Sequence, residues 1–302
     1  MLGGCDTRRM HLGFIGFGLI AGSIARAVRT NPATQDWTMT AWSPSGEGPR
    51  RAAVEGILDA AATEPEAALA DAGLVILAAP VTACLDYIDR LAGEWRTQLT
   101  VDAVVTDVAS TKTLLMERAN GAGLRFVGGH PMAGRETAGY DSADATLFVD
   151  RPWVLVPGEH VVATDVGLVA DLAAACSAKV VLMDAAAHDR AVAGISHLPL
   201  VVAAALVEAV AGEPAREAGD DWTAAALLAA GGWRDATRVA RGEPAMGAAI
   251  AVTNAPALVG RIRELQRVLD AWLAELERPD GPEEAVIAER LRAARAMLDE
   301  PG

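Results

Sequence analysis

The sequence predicts two domains: an α/β domain built on a parallel sheet, then an all-α domain. Two observations carry this reading. Up to Asp184, short apolar runs alternate with segments of helical spacing. Beyond it alanine becomes dense, strand-like runs stop, and helical periods continue to the C-terminus. Strands that alternate with helices imply a parallel sheet covered on both faces. The expected domains are residues 10–184 and 185–302.

Each element follows from its own pattern. His11–Ile15 reads as the first strand and Leu19–Arg29 as the helix behind it. Trp37–Trp42 is a second strand, with Arg50–Gly56 helical after it. Gly73–Ala79 is a continuous apolar run, the mark of a strand buried on both faces, and Thr82–Leu91 follows as a helix. Val101–Val108 and Leu124–Val127 supply two more strands, with helical Thr111–Asn120 between them. Trp153–Val156 and Val180–Met183 extend the same sheet. In the second half, Ala185–Ala211, Trp222–Leu228, Trp233–Ala240, Pro244–Leu276 and Glu283–Leu298 read as helices divided by Gly and Pro.

Composition narrows the function class. Of 302 residues, 52% are hydrophobic and 22% charged, which describes a folded, core-forming chain. The formal net charge of −14 repels phosphate backbones and anionic lipid, so neither nucleic acid nor membrane is an expected partner. Cys5, Cys84 and Cys176 are scattered, and no two histidines stand at i, i+4. Neither a disulfide framework nor a protein-built metal site is expected. The longest charge-free apolar stretch, Ala191–Val207, falls short of the ~18–20 residues of a membrane span and contains Ser196, His197 and Pro199. No apolar segment precedes the Leu2–Cys5 stretch, so no signal peptide is expected; Met10 is an alternative start, and the expected location is the cytoplasm.

Gly16-Phe17-Gly18-Leu19-Ile20-Ala21 joins the first strand to the first helix and fits G-x-G-x-x-G/A. The first glycine permits the tight turn, and the second lets the backbone approach a pyrophosphate. A small third residue lets the helix pack on the strand. The helix N-terminus adds free N–H groups and partial positive charge, a local answer to the acidic global field. This is a Rossmann-type dinucleotide site, with Gly16, Gly18, Leu19, Ile20 and Ala21 as its phosphate contacts. After the second strand, where a carboxylate would take the ribose hydroxyls of NAD, the chain has Ser43-Pro44-Ser45, then Arg50 and Arg51. Hydroxyls and arginines in place of a carboxylate point to NADP over NAD, although both arginines also fit an ordinary solvated helix face. Ala79, Pro80 and Asp107, at the ends of the next two strands, complete the expected cofactor contacts.

Two further segments, Thr106–Lys112 and Gly128–Glu136, begin where apolar strands end, the place where open α/β sheets bind ligands. His130, between Gly129 and Pro131, sits on a turn rather than on an apolar helix face, which favours a functional role over core packing. Five motifs then occur in order. They are Gly-Phe-Gly-Leu-Ile-Ala-Gly-Ser (16–23), Thr-Asp-Val-Ala-Ser-Thr-Lys (106–112), Gly-Gly-His-Pro-Met-Ala-Gly-Arg-Glu (128–136), Ile-Ser-His-Leu-Pro (195–199) and Gly-Gly-Trp-Arg-Asp-Ala-Thr-Arg-Val-Ala (231–240). Together they resemble the prephenate/arogenate dehydrogenase family of tyrosine biosynthesis, from around residue 10 to around residue 275.

The resemblance implies NAD(P)-dependent oxidative decarboxylation of a cyclohexadienyl acid, namely prephenate to 4-hydroxyphenylpyruvate. Hydride leaves the ring carbon bearing the hydroxyl, the ring carboxylate departs as CO2, and the ring becomes aromatic. It implies His130 as the base that accepts the hydroxyl proton. Ser110 is implied as a partner of the same hydroxyl or as an aligner of the nicotinamide. Arg238 is implied as the grip on a substrate carboxylate through two parallel hydrogen bonds, with Arg234 on the same helix face. Glu136 is implied near the substrate entrance. His197 either lines the cleft or is a satisfied residue between domains, while His188, Asp107 and Lys112 are expected to fix local structure. Activity is expected to fall at acid pH as His130 protonates, near its reference value of about 6.5 unless its surroundings shift it. A homodimer is implied, and apolar helices such as Leu198–Val210 are hard to cover in so small a domain.

Two positions depart from the family's pattern. Leu200 follows the proline where many members carry a second histidine, and Gly247 stands where tryptophan is common. The first leaves prephenate and arogenate both open as substrates. A β-hydroxyacid or imine dehydrogenase would use a lysine from the helical half, yet the chain has only Lys112 and Lys179. A protein that senses NAD(P) without turnover is the non-catalytic alternative.

Overall fold

The computed structural model describes residues 10–135, 137–212 and 220–299. The expectations for the Leu2–Cys5 stretch and for Glu136 fall outside the described residues. The first part of the chain runs β1 (His11–Ile15), α1 (Leu19–Thr30), β2 (Thr38–Trp42), α2 (Glu47–Val54), β3 (Ala60–Ala61) and α3 (Pro65–Leu69). It continues through β4 (Leu74–Leu77), α4 (Val81–Ala92), β5 (Val104–Asp107), α5 (Thr113–Gly121), β6 (Phe126–Pro131), β7 (Pro152–Pro157), α6 (Ala163–Ala175) and β8 (Lys179–Leu182). All eight strands form one sheet in the order β3-β2-β1-β4-β5-β6-β7-β8. The order reverses between β1 and β4, so the crevice at their carboxyl ends is the place for a ligand.

Strand β4 shows why the sheet is covered on both sides. Its four residues are all fully buried. Successive side chains point to opposite faces. Leu74 and Ile76 accordingly join a cluster with Ile24 and Val28 of α1, while Val75 and Leu77 join another with Ile88 and Leu91 of α4.

Strands β1 to β6 are parallel, but β7 pairs antiparallel with β6, and β8 follows β7 in its direction. The sheet is parallel as read from the sequence except at the β6–β7 pair. Parallel pairing needs a crossover, usually helical, and the described residues between 132 and 151 hold no helix beyond a short 3-10 turn at Tyr140–Ser142. The chain therefore re-enters from the end at which it left, and Gly129 and His130 register against Leu155 and Val154. Helix α6 is the crossover between β7 and β8. Its apolar residues form no stripe, which is why its period was not legible.

The helical part comprises α7 (Ala185–Val192), a π turn at Ala193–His197, α8 (Leu198–Ala211), α9 (Asp220–Leu228), α10 (Gly231–Thr237), a 3-10 turn at Arg238–Arg241, α11 (Pro244–Thr253), α12 (Ala255–Leu276) and α13 (Glu284–Asp299). The expected single helix over Pro244–Leu276 is two, broken at Asn254, because Pro256 has no N–H to continue the hydrogen-bond ladder and fits only the first turn of a new helix. Ala185–Ala211 forms one continuous helix of 27 residues, long and apolar enough by length and composition to cross a membrane. The shorter stretch read from the sequence missed this, since only the charge-free core of the helix was counted. A span is nonetheless a poor account, because His188 and Asp189 are buried and hydrogen-bonded to residues of the α/β part. The chain divides into two compact units, one up to Ala255 and one from Pro256. Within the second, the Arg290 guanidinium stacks 4.2 Å from the Trp272 ring centre and donates to the Ala271 carbonyl at 2.9 Å.

Candidate active site

At the glycine turn the backbone does what the motif requires. Gly16 adopts φ +91°, and a Cβ there would lie 2.5 Å from the Ala78 carbonyl oxygen, so β1 and the end of β4 approach through it. Beside Gly18 a Cβ would meet nothing within 4 Å, and the first turn of α1 has no side-chain cap. Open space therefore faces unpaired N–H groups of Leu19, Ile20 and Ala21. At the end of β2, the Ser43 hydroxyl is buried and has no hydrogen-bond partner among the described residues. Arg50 folds back over the same loop and donates to the Ser45 carbonyl at 3.2 Å, whereas Arg51 pairs with Asp141. These features fit the phosphates and ribose of a dinucleotide. Ala79 and Pro80 lead from β4 into α4 at the same sheet end.

The Asp107 carboxylate is engaged within the protein. It is fully buried, and Oδ1 accepts from the Gly129 amide at 3.0 Å while Oδ2 accepts from the Ala109 amide at 2.9 Å. The buried Lys112 ammonium completes its shell. These three contacts tie the loop after β5 to β6. Removing either charge from such a pair costs about 3–5 kcal/mol. Gly129 must be glycine, because a Cβ would lie 2.4 Å from the Asp107 carbonyl oxygen.

This scaffold holds His130 at the carboxyl end of β6 and Ser110 just beyond the neighbouring β5. The Ser110 hydroxyl is half-buried and makes no hydrogen bond among the described residues. His130 keeps a partly open edge, and its Nδ1 lies 2.8 Å from Nε2 of His188. His188 Nδ1 lies 2.8 Å from Asp189 Oδ1. Burial holds the His130 ring well below the usual histidine range, and the nearby Lys112 ammonium pushes the same way. These surroundings shift the titration from 6.5: His130 is neutral well below that pH. Burial likewise lowers His197 to about 4. His197 is buried within the π turn, and its Nδ1 lies 3.0 Å from Nδ2 of Asn254.

Arg238 is exposed and opens the 3-10 turn that packs on α8. The two departures noted in the sequence meet each other, since a Cβ at Gly247 would lie 3.2 Å from Leu200 Cδ2. Sequence reasoning passed over His188, Asp189 and Asn254 as site components. A His-Asp pair opening an alanine-rich helix, and Asn254 in an apolar run, were the available signals.

Comparison with known proteins agrees with this geometry. The family model of the prephenate dehydrogenase nucleotide-binding domain matches residues 24–182, and that of the prephenate dehydrogenase dimerization domain matches residues 184–288. The chain belongs to the prephenate dehydrogenase family. It is thus an oxidoreductase that uses a nicotinamide dinucleotide. A cyclohexadienyl dehydrogenase of Zymomonas mobilis is 33% identical over 270 residues, covering 89% of this chain and 86% of that one. A Bacillus subtilis prephenate dehydrogenase is 31% identical, covering 88% and 70% respectively. Among solved structures, prephenate dehydrogenase from A. aeolicus in complex with hydroxyphenyl propionate and NAD+ superposes with a TM-score of 0.83, at 25% identity, over 98% of this chain and 100% of that one. Synechocystis arogenate dehydrogenase gives 0.78 at 32% identity, over 96% and 100%.

Proposed function

We propose that the protein is a prephenate dehydrogenase, acting in the cytoplasm as a homodimer, with His130 and Ser110 as its catalytic pair. The observation that carries this is a neutral, buried imidazole at the end of β6, one strand from an unpartnered serine hydroxyl. The nicotinamide, when bound, accepts the hydride from the ring carbon that bears the hydroxyl. As that carbon becomes carbonyl-like, His130 accepts the hydroxyl proton, a contribution of roughly 10²–10⁴ in rate. Ser110 bonds the same oxygen and holds the reacting carbon in line. Arg238 grips a substrate carboxylate, and the family resemblance assigns substrate-binding roles to His197 and Glu136 as well. Loss of the ring carboxylate as CO2 makes the ring aromatic.

Gly16, Gly18 and the first turn of α1 would cradle the phosphates, with Ala79 and Pro80 beside them. Ser43 and Ser45, with Arg50 above them, support NADP over NAD, because hydroxyls and an arginine rather than a carboxylate directly follow β2. Arg51, engaged with Asp141, contributes less. A second reading, arogenate as substrate, is favoured by Leu200. Its side chain packs toward Gly247 and supplies no hydrogen bond to a keto oxygen. The test is nicotinamide reduction by the purified protein, with prephenate and arogenate each crossed against NAD and NADP. Turnover is expected with prephenate and NADP. Turnover with arogenate alone would move the substrate assignment, and silence in all four with cofactor binding intact would leave a nucleotide-sensing protein.

A further inference from the structure

Three histidine rings connect to one residue, Asp189. Its Oδ1 accepts from the Lys112 amide and stands 2.8 Å from His188 Nδ1, and its Oδ2 accepts from the Thr113 amide at 2.8 Å. Burial raises the Asp189 carboxyl, but the hydrogen bonds from His188, Thr113 and Lys112 outweigh it and leave it below the usual range. A carboxylate only accepts, so His188 Nδ1 carries a hydrogen. In a neutral His188 ring, Nε2 is then an acceptor. It faces His130 Nδ1 at 2.8 Å, which must donate to it. What is left on His130 is Nε2 with a bare lone pair. The main chain of Asp189 acts on His197 in the opposite sense. Its carbonyl accepts from Asn254 Nδ2 at 2.8 Å, and the same nitrogen stands 3.0 Å from His197 Nδ1. An amide nitrogen only donates, so His197 Nδ1 accepts and the ring hydrogen sits on Nε2. That Nε2 is buried without a partner among the described residues.

We propose that Asp189 fixes two tautomers at once, presenting His130 Nε2 as a proton acceptor through His188 and His197 Nε2 as a hydrogen-bond donor through Asn254. His188, Asp189 and Asn254 are positioning residues, and the inference rests on the reading of His130 as the base. When His130 Nε2 takes the substrate's hydroxyl proton, its Nδ1 hydrogen is already shared with His188. The positive charge that develops is stabilised by the Asp189 carboxylate one ring away, against the opposing Lys112 ammonium.

The test compares kcat, KM, cofactor Kd and pH profile for His188→Leu, His188→Gln and Asp189→Asn, with His130→Ala as parent and as background. His188→Leu removes the acceptor and should lower kcat roughly 10–100-fold, the scale seen for orienting partners of metal-bound histidines, with cofactor Kd unchanged. His188→Gln keeps an acceptor oxygen and should recover part of the loss, and it carries the test if the leucine variant does not fold. Asp189→Asn keeps one oxygen for the Lys112 amide and His188 Nδ1, turns its NH2 toward the Thr113 amide and removes the charge that stabilises the developing imidazolium. It should lower kcat roughly 10–100-fold with cofactor Kd unchanged. On the His130→Ala background, His188→Leu should cost nothing further. A kcat within twofold of wild type in His188→Leu, or losses that multiply in the double variant, overturns the relay. A fully active His130→Ala enzyme overturns the base assignment instead.

Discussion

Residues 185–197 and 198–211 belong to one continuous helix, yet only the first half buries polar residues. That half buries His188, Asp189 and His197 beside Val192 and Ala193, while the second buries only Ala203 and leaves Val202 and Val210 exposed. Polar groups tolerate burial only where each finds a partner. Here the N-terminus of α5, His130 and Asn254 supply those partners. Among the described residues the apolar half has no such polar partners, and exposed apolar residues on a helix suit an interface. This half lies within the match to the dimerization domain. One helix thus joins the proposed catalytic centre to the proposed subunit contact.

The sharpest way to break this contrast is at its polar end. His130→Asn should lower turnover by roughly 10²–10⁴ while cofactor affinity, read by fluorescence titration, stays unchanged. Arg238→Gln should raise the substrate KM roughly tenfold to a hundredfold, the worth of a charged hydrogen bond. An effect confined to kcat would put Arg238 in the transition state instead. At the apolar end, Val202→Glu should convert a dimer to a monomer in light scattering, without loss of helical circular dichroism. A monomeric wild type would remove the dimer proposal.

Smaller effects sharpen the same comparison. With His130 neutral well below its usual range, the acid limb of log kcat should lie below pH 6.5. A limb at or above that value would show a solvated ring. The sign for stability follows from the same rings. His130 and His197 stay neutral in the folded chain where the unfolded chain already binds protons. Stability should therefore fall as pH drops below about 6.5, with the His197 share levelling off near 4. The smallest change is expected for Arg50→Ala, which should reduce the preference for NADP by no more than about fivefold, since an exposed charge pair contributes up to about 1 kcal/mol.

Much of the fold was legible because it is written in local patterns. The β1 turn, the apolar run of β4 and the long helix from Ala185 each declare themselves within a dozen or so residues. Strands β7 and β8 were located, but their direction depends on the path of residues 132–151, which carry no period. Helix α6 escaped notice because its apolar residues surround it evenly. At the site, the flanking glycine and proline marked His130. Asp107 carried two readings, because a carboxylate at a strand end reads the same whether it faces a ligand or, as here, a buried lysine.

The sequence by itself determined the nucleotide cradle and the position of His130, because glycine conformations, strand endings and helix starts are properties of adjacent residues. Only the tertiary structure decided which nitrogens face the crevice. His130 meets His188 across 58 residues and Asp189 meets Asn254 across 65, and no periodicity reports contacts at such separations. The π turn adds to this. In a straight α-helix, eight residues would leave His197 about 80° around the axis from Asp189, and the wider turn at Ala193–His197 reduces that rotation. A tautomer is set by what lies beyond the ring, and that is a matter of packing.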